Sequence, residues 1–190
     1  MNLKNLLSIL FLLFSVFACN FSKSCRMLEA SNINLHLENG ILYYEETPFS
    51  GDLVTYYNDN ILKSDIEYVN GRKHGMEKHW YQSSTRAITR YYKKGFKSGL
   101  HQGWWENGKP KFEYYFNDNG EYNGSVKEWD ASGLLVMHFN YKDGQEIGRQ
   151  RSWNLDGSTK ANYEVKDGER FGLIGLKKCY QVTVGNDEVE

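Results

Sequence analysis

From about residue 40 to residue 175 the chain alternates apolar and polar positions, and glycines interrupt the alternation at regular places. Leu135, Met137, Phe139 and Tyr141 are apolar with His138, Asn140 and Lys142 between them, and only Val136 is out of step. Phe112, Tyr114 and Phe116 alternate with Lys111, Glu113 and Tyr115, and Ala161, Tyr163 and Val165 alternate with Lys160, Asn162 and Glu164. A period of two with turn punctuation predicts half-buried strands joined as hairpins.

The punctuation itself repeats. Glycines stand at 51, 75, 99, 124, 148 and 172, so the step is 24 residues with a single 25. Five residues after the first five of them come Tyr56, Trp80, Trp104, Trp129 and Trp153. A second column holds Gly71, Gly95, Gly120, Gly144 and Gly168, and a third holds Gly108, Gly133 and Gly157, with Asn60 and Ser84 in the first two units. Three columns in step define an internal repeat.

Parity sets the expected turns. If Trp104 and Phe112 share the apolar face, the loop between their strands must have an odd number of residues. A three-residue loop, Glu106-Asn107-Gly108, closed by a left-handed glycine in a bulge satisfies this. The same loop is expected at Lys142-Asp143-Gly144 and Lys166-Asp167-Gly168. The loops with Asn60 and Ser84 are expected to be less tightly defined. The extra residue of the third unit is placed in a longer loop at Asn117-Asp118-Asn119-Gly120.

The expected fold is all-β: an elongated antiparallel meander of stacked β-hairpin repeats over residues 40–184. Its tryptophan column packs along the apolar face, each ring over the next unit, with the unit-start glycine leaving room. Residues 41–46 and 172–184 cover the two edges. On the opposite, polar face the expectation places Tyr57, Tyr81 and Trp105 in one column, and Tyr91 and Tyr115 in another. Cross-strand ring pairing on a wet face explains these rings without a ligand. Contiguous exposed rings also mark interaction sites, so these five are the candidate binding residues.

The units "G-x4-W" (Gly75/Trp80, Gly99/Trp104, Gly124/Trp129, Gly148/Trp153), with "ENGKPKFEYYFNDNG", "YKDGQEIG" and the lead-in "TPFSGDLVTYY", resemble the MORN repeat family in its bacterial second variant. The likeness covers about residues 40–175 and implies a solenoid of hairpins with scaffolding or adhesion roles. Many bacterial proteins of this kind carry an antitoxin label, which makes an antitoxin-like neutraliser of a partner protein a further alternative.

The first 18 residues hold one charged side chain, Lys4, then an apolar run from Leu6 to Ala18. That run is too short to span a membrane and fits a secretory leader. Val16-Phe17-Ala18-Cys19 resembles the lipobox of bacterial lipoproteins, which implies cleavage before Cys19 and its lipidation; the alternative is an ordinary leader with Cys19 as a disulfide partner. The expected organisation is a leader at 1–18, a tether at 19–39, the repeat domain at 40–184 and an acidic tail at 185–190. Lipid on Cys19 places the chain at a membrane of the bacterial cell envelope, the outer membrane by expectation. An export signal argues against neutralising a cytoplasmic toxin. Cys25 and Cys179 are free to pair with each other, between chains, or not at all.

Charge and motifs narrow the function. With 23 Lys and Arg against 24 Asp and Glu, the chain gives no electrostatic reason to bind nucleic acid. His36, His74, His79, His101 and His138 form no metal spacing, and no nucleophile elbow, Walker loop or dinucleotide fingerprint is present. No catalytic residue, metal or cofactor is therefore expected. The expected partner is a protein in the envelope, with an envelope polysaccharide stacked on Tyr57, Tyr81, Trp105, Tyr91 and Tyr115 as the alternative.

Overall fold

A computed structural model describes residues 26–175. The leader, Cys19, Cys25, Cys179, the acidic tail and most of the expected C-terminal cover lie outside the described residues.

The described residues form strands and turns, without helices. The strands are β1 (Met27–Glu29), β2 (Leu35–Glu38), β3 (Ile41–Tyr44), β4 (Thr47–Pro48), β5 (Gly51–Tyr56), β6 (Leu62–Val69), β7 (Arg72–Trp80), β8 (Arg86–Lys93) and β9 (Phe96–Lys97). They continue with β10 (Gly99–Trp104), β11 (Pro110–Phe116), β12 (Tyr122–Trp129), β13 (Leu135–Lys142), β14 (Gln145–Glu146), β15 (Gly148–Trp153), β16 (Thr159–Lys166) and β17 (Glu169–Leu173). From β5 onward, sequence neighbours are spatial neighbours and pair antiparallel in one open sheet of 14 strands. The short β9 and β14 extend the rows of β10 and β15 past a break. Strands β2, β3 and β4 make a separate three-stranded sheet.

One expected edge is different. Residues 41–46 do not cover the large sheet; its first edge is β1, which pairs parallel to β5 from inside the 19–39 segment. Ile41 and Leu42 instead sit against the turn at Gly71, where Leu42 donates its amide hydrogen to the Gly71 carbonyl at 2.9 Å.

The repeat unit has two kinds of turn. At one end, Trp105 receives the amide hydrogen of Gly108 and donates its own to the Lys109 carbonyl, both at 2.8 Å. This is the expected three-residue loop, with Gly108 at φ +81°. The pattern recurs at Tyr57/Ile61, Tyr81/Thr85, Asp130/Leu134 and Asn154/Ser158. The loops with Asn60 and Ser84 are defined by the same bonds, because both residues adopt the left-handed conformation, at φ +61° and +62°. The extra residue of the third unit is where the spacing placed it: Asn117 and Glu121 close the same three-residue loop.

At the other end the expectation fails. Lys142 pairs with Gln145 and Lys166 with Glu169, so Asp143-Gly144 and Asp167-Gly168 are two-residue turns. Both residues of each have positive φ, +47° and +77° at Asp143 and Gly144, as a type I′ turn requires. The strand after the turn also carries a wide bulge at the repeat glycine, but parity is kept by the other end of the unit, where a one-residue bulge offsets the even turn. Across β6 and β7 the register passes from Tyr68↔Lys73 to Ile66↔Glu77, so two extra residues are absorbed there.

A second irregularity reverses the faces. Trp104 pairs with Pro110, but Gly103 pairs with Phe112, so Lys111 is an extra residue. The same one-residue shift occurs beside Tyr56, Trp80, Trp129 and Trp153. Phe112 therefore shares a face with Gly103 and not with Trp104. One unbroken row on this aromatic face runs Thr55, Ser64, His79, Ile88, Gly103, Phe112, Glu128, Met137, Ser152, Ala161. The row beside it on the other face runs Val54, Asp65, Lys78, Thr89, Gln102, Glu113, Lys127, His138, Arg151, Asn162. By alternation the tryptophan column belongs to this second, polar face.

The core is accordingly built of phenylalanine and tyrosine. Phe112 stacks on Tyr114, and Phe116 on Tyr122, each at 4.7 Å between centroids. His101, Tyr92, Tyr141, Phe139 and Tyr163 continue the chain of ring contacts. Gly103 is required here, since a Cβ would stand 2.2 Å from the Phe112 ring.

Candidate functional site

The five candidate rings fall on both faces. Tyr57, Tyr81 and Trp105 are half-buried on the aromatic face, where Trp105 lines a cleft with Phe112, Tyr114 and Glu128. Tyr91 and Tyr115 pair with Met76 and Leu100 and so belong to the polar face. The second bulge is the physical reason: it moves the Trp105 column to the opposite side from the one parity alone assigns.

The first three rings are bound to the fold. The Tyr57 hydroxyl donates to the Trp80 carbonyl at 3.0 Å, that of Tyr81 to the Trp104 carbonyl at 2.9 Å, and the Trp105 indole N–H to the Trp129 carbonyl at 3.1 Å. Each acceptor lies one residue past the last pair of its ladder, Ser64↔His79, Ile88↔Gly103 and Phe112↔Glu128. A carbonyl there has lost its strand partner, and the ring of the preceding unit supplies one. Lys63 and Lys111, the extra residues of their bulges, lie over the Tyr57 and Trp105 rings at 5.4 and 4.3 Å. In the last two units the column holds Asp130 and Asn154, which bond within their own turns to Ser132 and Ser158.

Tyr91 and Tyr115 are 37% and 36% exposed and stand over the next unit's glycine. A Cβ at Gly124 would meet the Tyr115 Cβ at 3.1 Å, and one at Gly99 the Tyr91 ring at 3.9 Å. Gly124 thus makes room for Tyr115, and no tryptophan is among the nearest neighbours of the repeat glycines.

The aromatic face carries two adjoining clefts. One of about 430 Å³ lies among Trp105, Lys111, Phe112, Tyr114 and Leu155. The next, of about 680 Å³, lies among Met137, Phe139, Tyr163 and Ile174. Glu128 and Val136 line both. Leu155 is 76% exposed at the rim. The Tyr114 hydroxyl donates to Glu128 at 2.5 Å, and burial together with that carboxylate raises the phenol well above its ordinary pKa.

The residue two past each repeat glycine is buried in four units, as Glu77, His101, Val126 and Gln150, a column that sequence reasoning missed. Gln150 accepts from the Asn140 amide at 2.8 Å and donates to the Asn140 and Ile147 carbonyls at 2.9 Å each. His101 Nε2 is 2.8 Å from the Tyr91 carbonyl, so that nitrogen carries the hydrogen. Burial lowers the His101 pKa despite this bond. These side chains complete backbone hydrogen bonds that the wide bulge breaks. Glu77 instead accepts from Lys73 at 2.8 Å and His79 at 2.7 Å, with Arg90 at 3.6 Å. Burial raises its carboxyl, but these bonds and charges outweigh it and hold the group at about 2.

Among the described residues no group of three or more His, Cys, Asp or Glu is arranged to hold a metal ion, and no helix is long and apolar enough to cross a membrane. No family model matches the chain, and no curated protein matches it either.

Proposed function

We propose that this chain is a non-enzymatic, MORN-like repeat module, anchored by lipid on Cys19 in the bacterial envelope, that binds a protein partner. Stacked hairpins of this kind act as a solenoid whose broad face is the working surface. The observation that carries the reading is the pair of adjoining clefts on the aromatic face. Their walls combine apolar and aromatic groups with a carboxylate common to both, Glu128, and with Lys111, Asp130 and Lys160, an apolar floor with charged groups such as a protein contact uses. The exposed Leu155 at the rim offers an apolar anchor.

A photo-crosslinking residue placed at Leu155 in the full chain tests this. In the membrane fraction it should give a discrete protein adduct that the same probe at Lys78, on the polar face, does not. Equal labelling from both positions, or none from Leu155, contradicts the reading. Fatty-acid incorporation that persists in Cys19→Ser contradicts the anchor.

A second reading, an envelope polysaccharide as ligand, is favoured by one cleft alone. There Trp105 offers a ring edge beside Lys111, Tyr114 and Glu128, a mixture of stacking and hydrogen-bonding groups. Glycan pull-down that depends on Trp105, with no protein adduct at Leu155, favours this reading over the first.

A further inference from the structure

The polar face holds a second site that is independent of the clefts. Glu113, Lys127, His138 and Arg151 stand side by side on β11, β12, β13 and β15, each the register partner of the next. All four are half-buried. Glu113 is engaged from both neighbouring strands: the Gln102 amide of β10 donates to it at 3.3 Å, and the Lys127 ammonium of β12 lies at 3.7 Å. Among the described residues Arg151 makes no ion pair and His138 no hydrogen bond. Of the neighbouring charges, Arg149 donates to the Asn162 side chain at 3.4 Å and Glu164 pairs with Lys166 at 3.2 Å.

Withdrawing a guanidinium from water is costly unless an anion accompanies it. Two fixed cations face one carboxylate here, so one positive charge is uncompensated beside a neutral imidazole. Burial and the charges of Lys127 and Arg151 hold that imidazole below its ordinary pKa. A cleft of about 190 Å³, with Trp104 and Trp129 in its wall, opens beside Lys127 on the same face.

We propose that Lys127, His138 and Arg151 form a binding site for a phosphate-class oxyanion. The Arg151 fork donates to two oxygens, Lys127 supplies a point charge and His138 donates a ring N–H. A dianion fits better than a single carboxylate, because its arrival lets His138 take up a proton and so balance the second charge. Free phosphate and a phosphomonoester share this chemistry, since both reach a second negative charge near neutral pH.

The test is the ring resonance of His138 in the full chain, titrated against pH at constant ionic strength. Inorganic phosphate should move its midpoint upward, while chloride should not. Arg151→Gln should weaken phosphate binding by roughly tenfold, and Lys142→Gln, on an exposed turn, should leave it unchanged. Arg151→Lys should restore part of the binding, which separates loss of the site from loss of the fold. Glycerol 3-phosphate titrated in parallel assigns the source: tighter binding than phosphate points to a phosphomonoester, weaker binding to a free phosphate. A midpoint that moves equally in chloride, or phosphate binding that survives Arg151→Gln, overturns the proposal.

Discussion

The Tyr81 hydroxyl hydrogen-bonds the carbonyl oxygen of Trp104, 23 residues further on, at 2.9 Å. That bond joins one hairpin to the next at the point where their strand ladder has ended. Tyr57 and Trp105 make the equivalent bonds one unit before and one unit after. Consecutive repeats are therefore tied at the loop end by a side chain as well as by their ladders.

Tyr81→Phe removes this tie and keeps the ring. It should cost about 0.5–1.5 kcal/mol, the net worth of one partly buried hydrogen bond. Tyr91→Phe, whose hydroxyl has no such role, should change the melting temperature much less. Thermal unfolding of the two variants decides.

Gly103→Ala should destabilise by about 1–3 kcal/mol through overpacking, since the new methyl meets the Phe112 ring at 2.2 Å. Pairing it with Phe112→Leu should recover part of the loss. Denaturant midpoints of the single and double variants measure the coupling.

These variants lie close to the line between what the sequence reveals and what it hides. The strands and the glycine-closed three-residue loops were legible because alternation and glycine have direct backbone consequences, as at Gly108, whereas the equal definition of the Asn60 and Ser84 loops was not expected. The second bulge was not legible. Its extra residues are Lys63, Ala87, Lys111, Val136 and Lys160; three are lysines, but lysine is ordinary on a strand, and a bulge of that kind needs no left-handed residue to mark it. One hidden residue per unit was enough to exchange the faces and to split the five candidate rings. The two-residue turn at Asp143-Gly144 carried its usual signal, but parity argued against it until the one-residue bulge at the other end of the unit was known. The buried column of Glu77, His101, Val126 and Gln150 has no common residue type, so only burial identifies it.

Gln150 is fully buried and satisfies three backbone groups. Gln150→Ala should cost about 2–3 kcal/mol, because it leaves those groups without partners. Amide exchange at Asn140 should accelerate by more than the global change in stability explains.

Glu77 predicts an acid limb. Its folded pKa, about 2, lies below the ordinary 4.5. The stability it contributes is complete above the ordinary value and is lost as pH falls from there toward 2. Chemical denaturation from pH 6 to pH 2 should show a steeper loss for the natural chain than for Glu77→Gln over that window. Equal slopes would remove Glu77 as the cause.

The account depends most on the register of β10 against β11, which sets the face of every tryptophan. Nuclear Overhauser contacts of the Phe112 ring measure it directly. Strong contacts to the Gly103 α-protons are predicted, with none to the Trp104 indole. Contacts from Phe112 to the Trp104 ring in place of Gly103 would return the tryptophan column to the aromatic face and contradict the account.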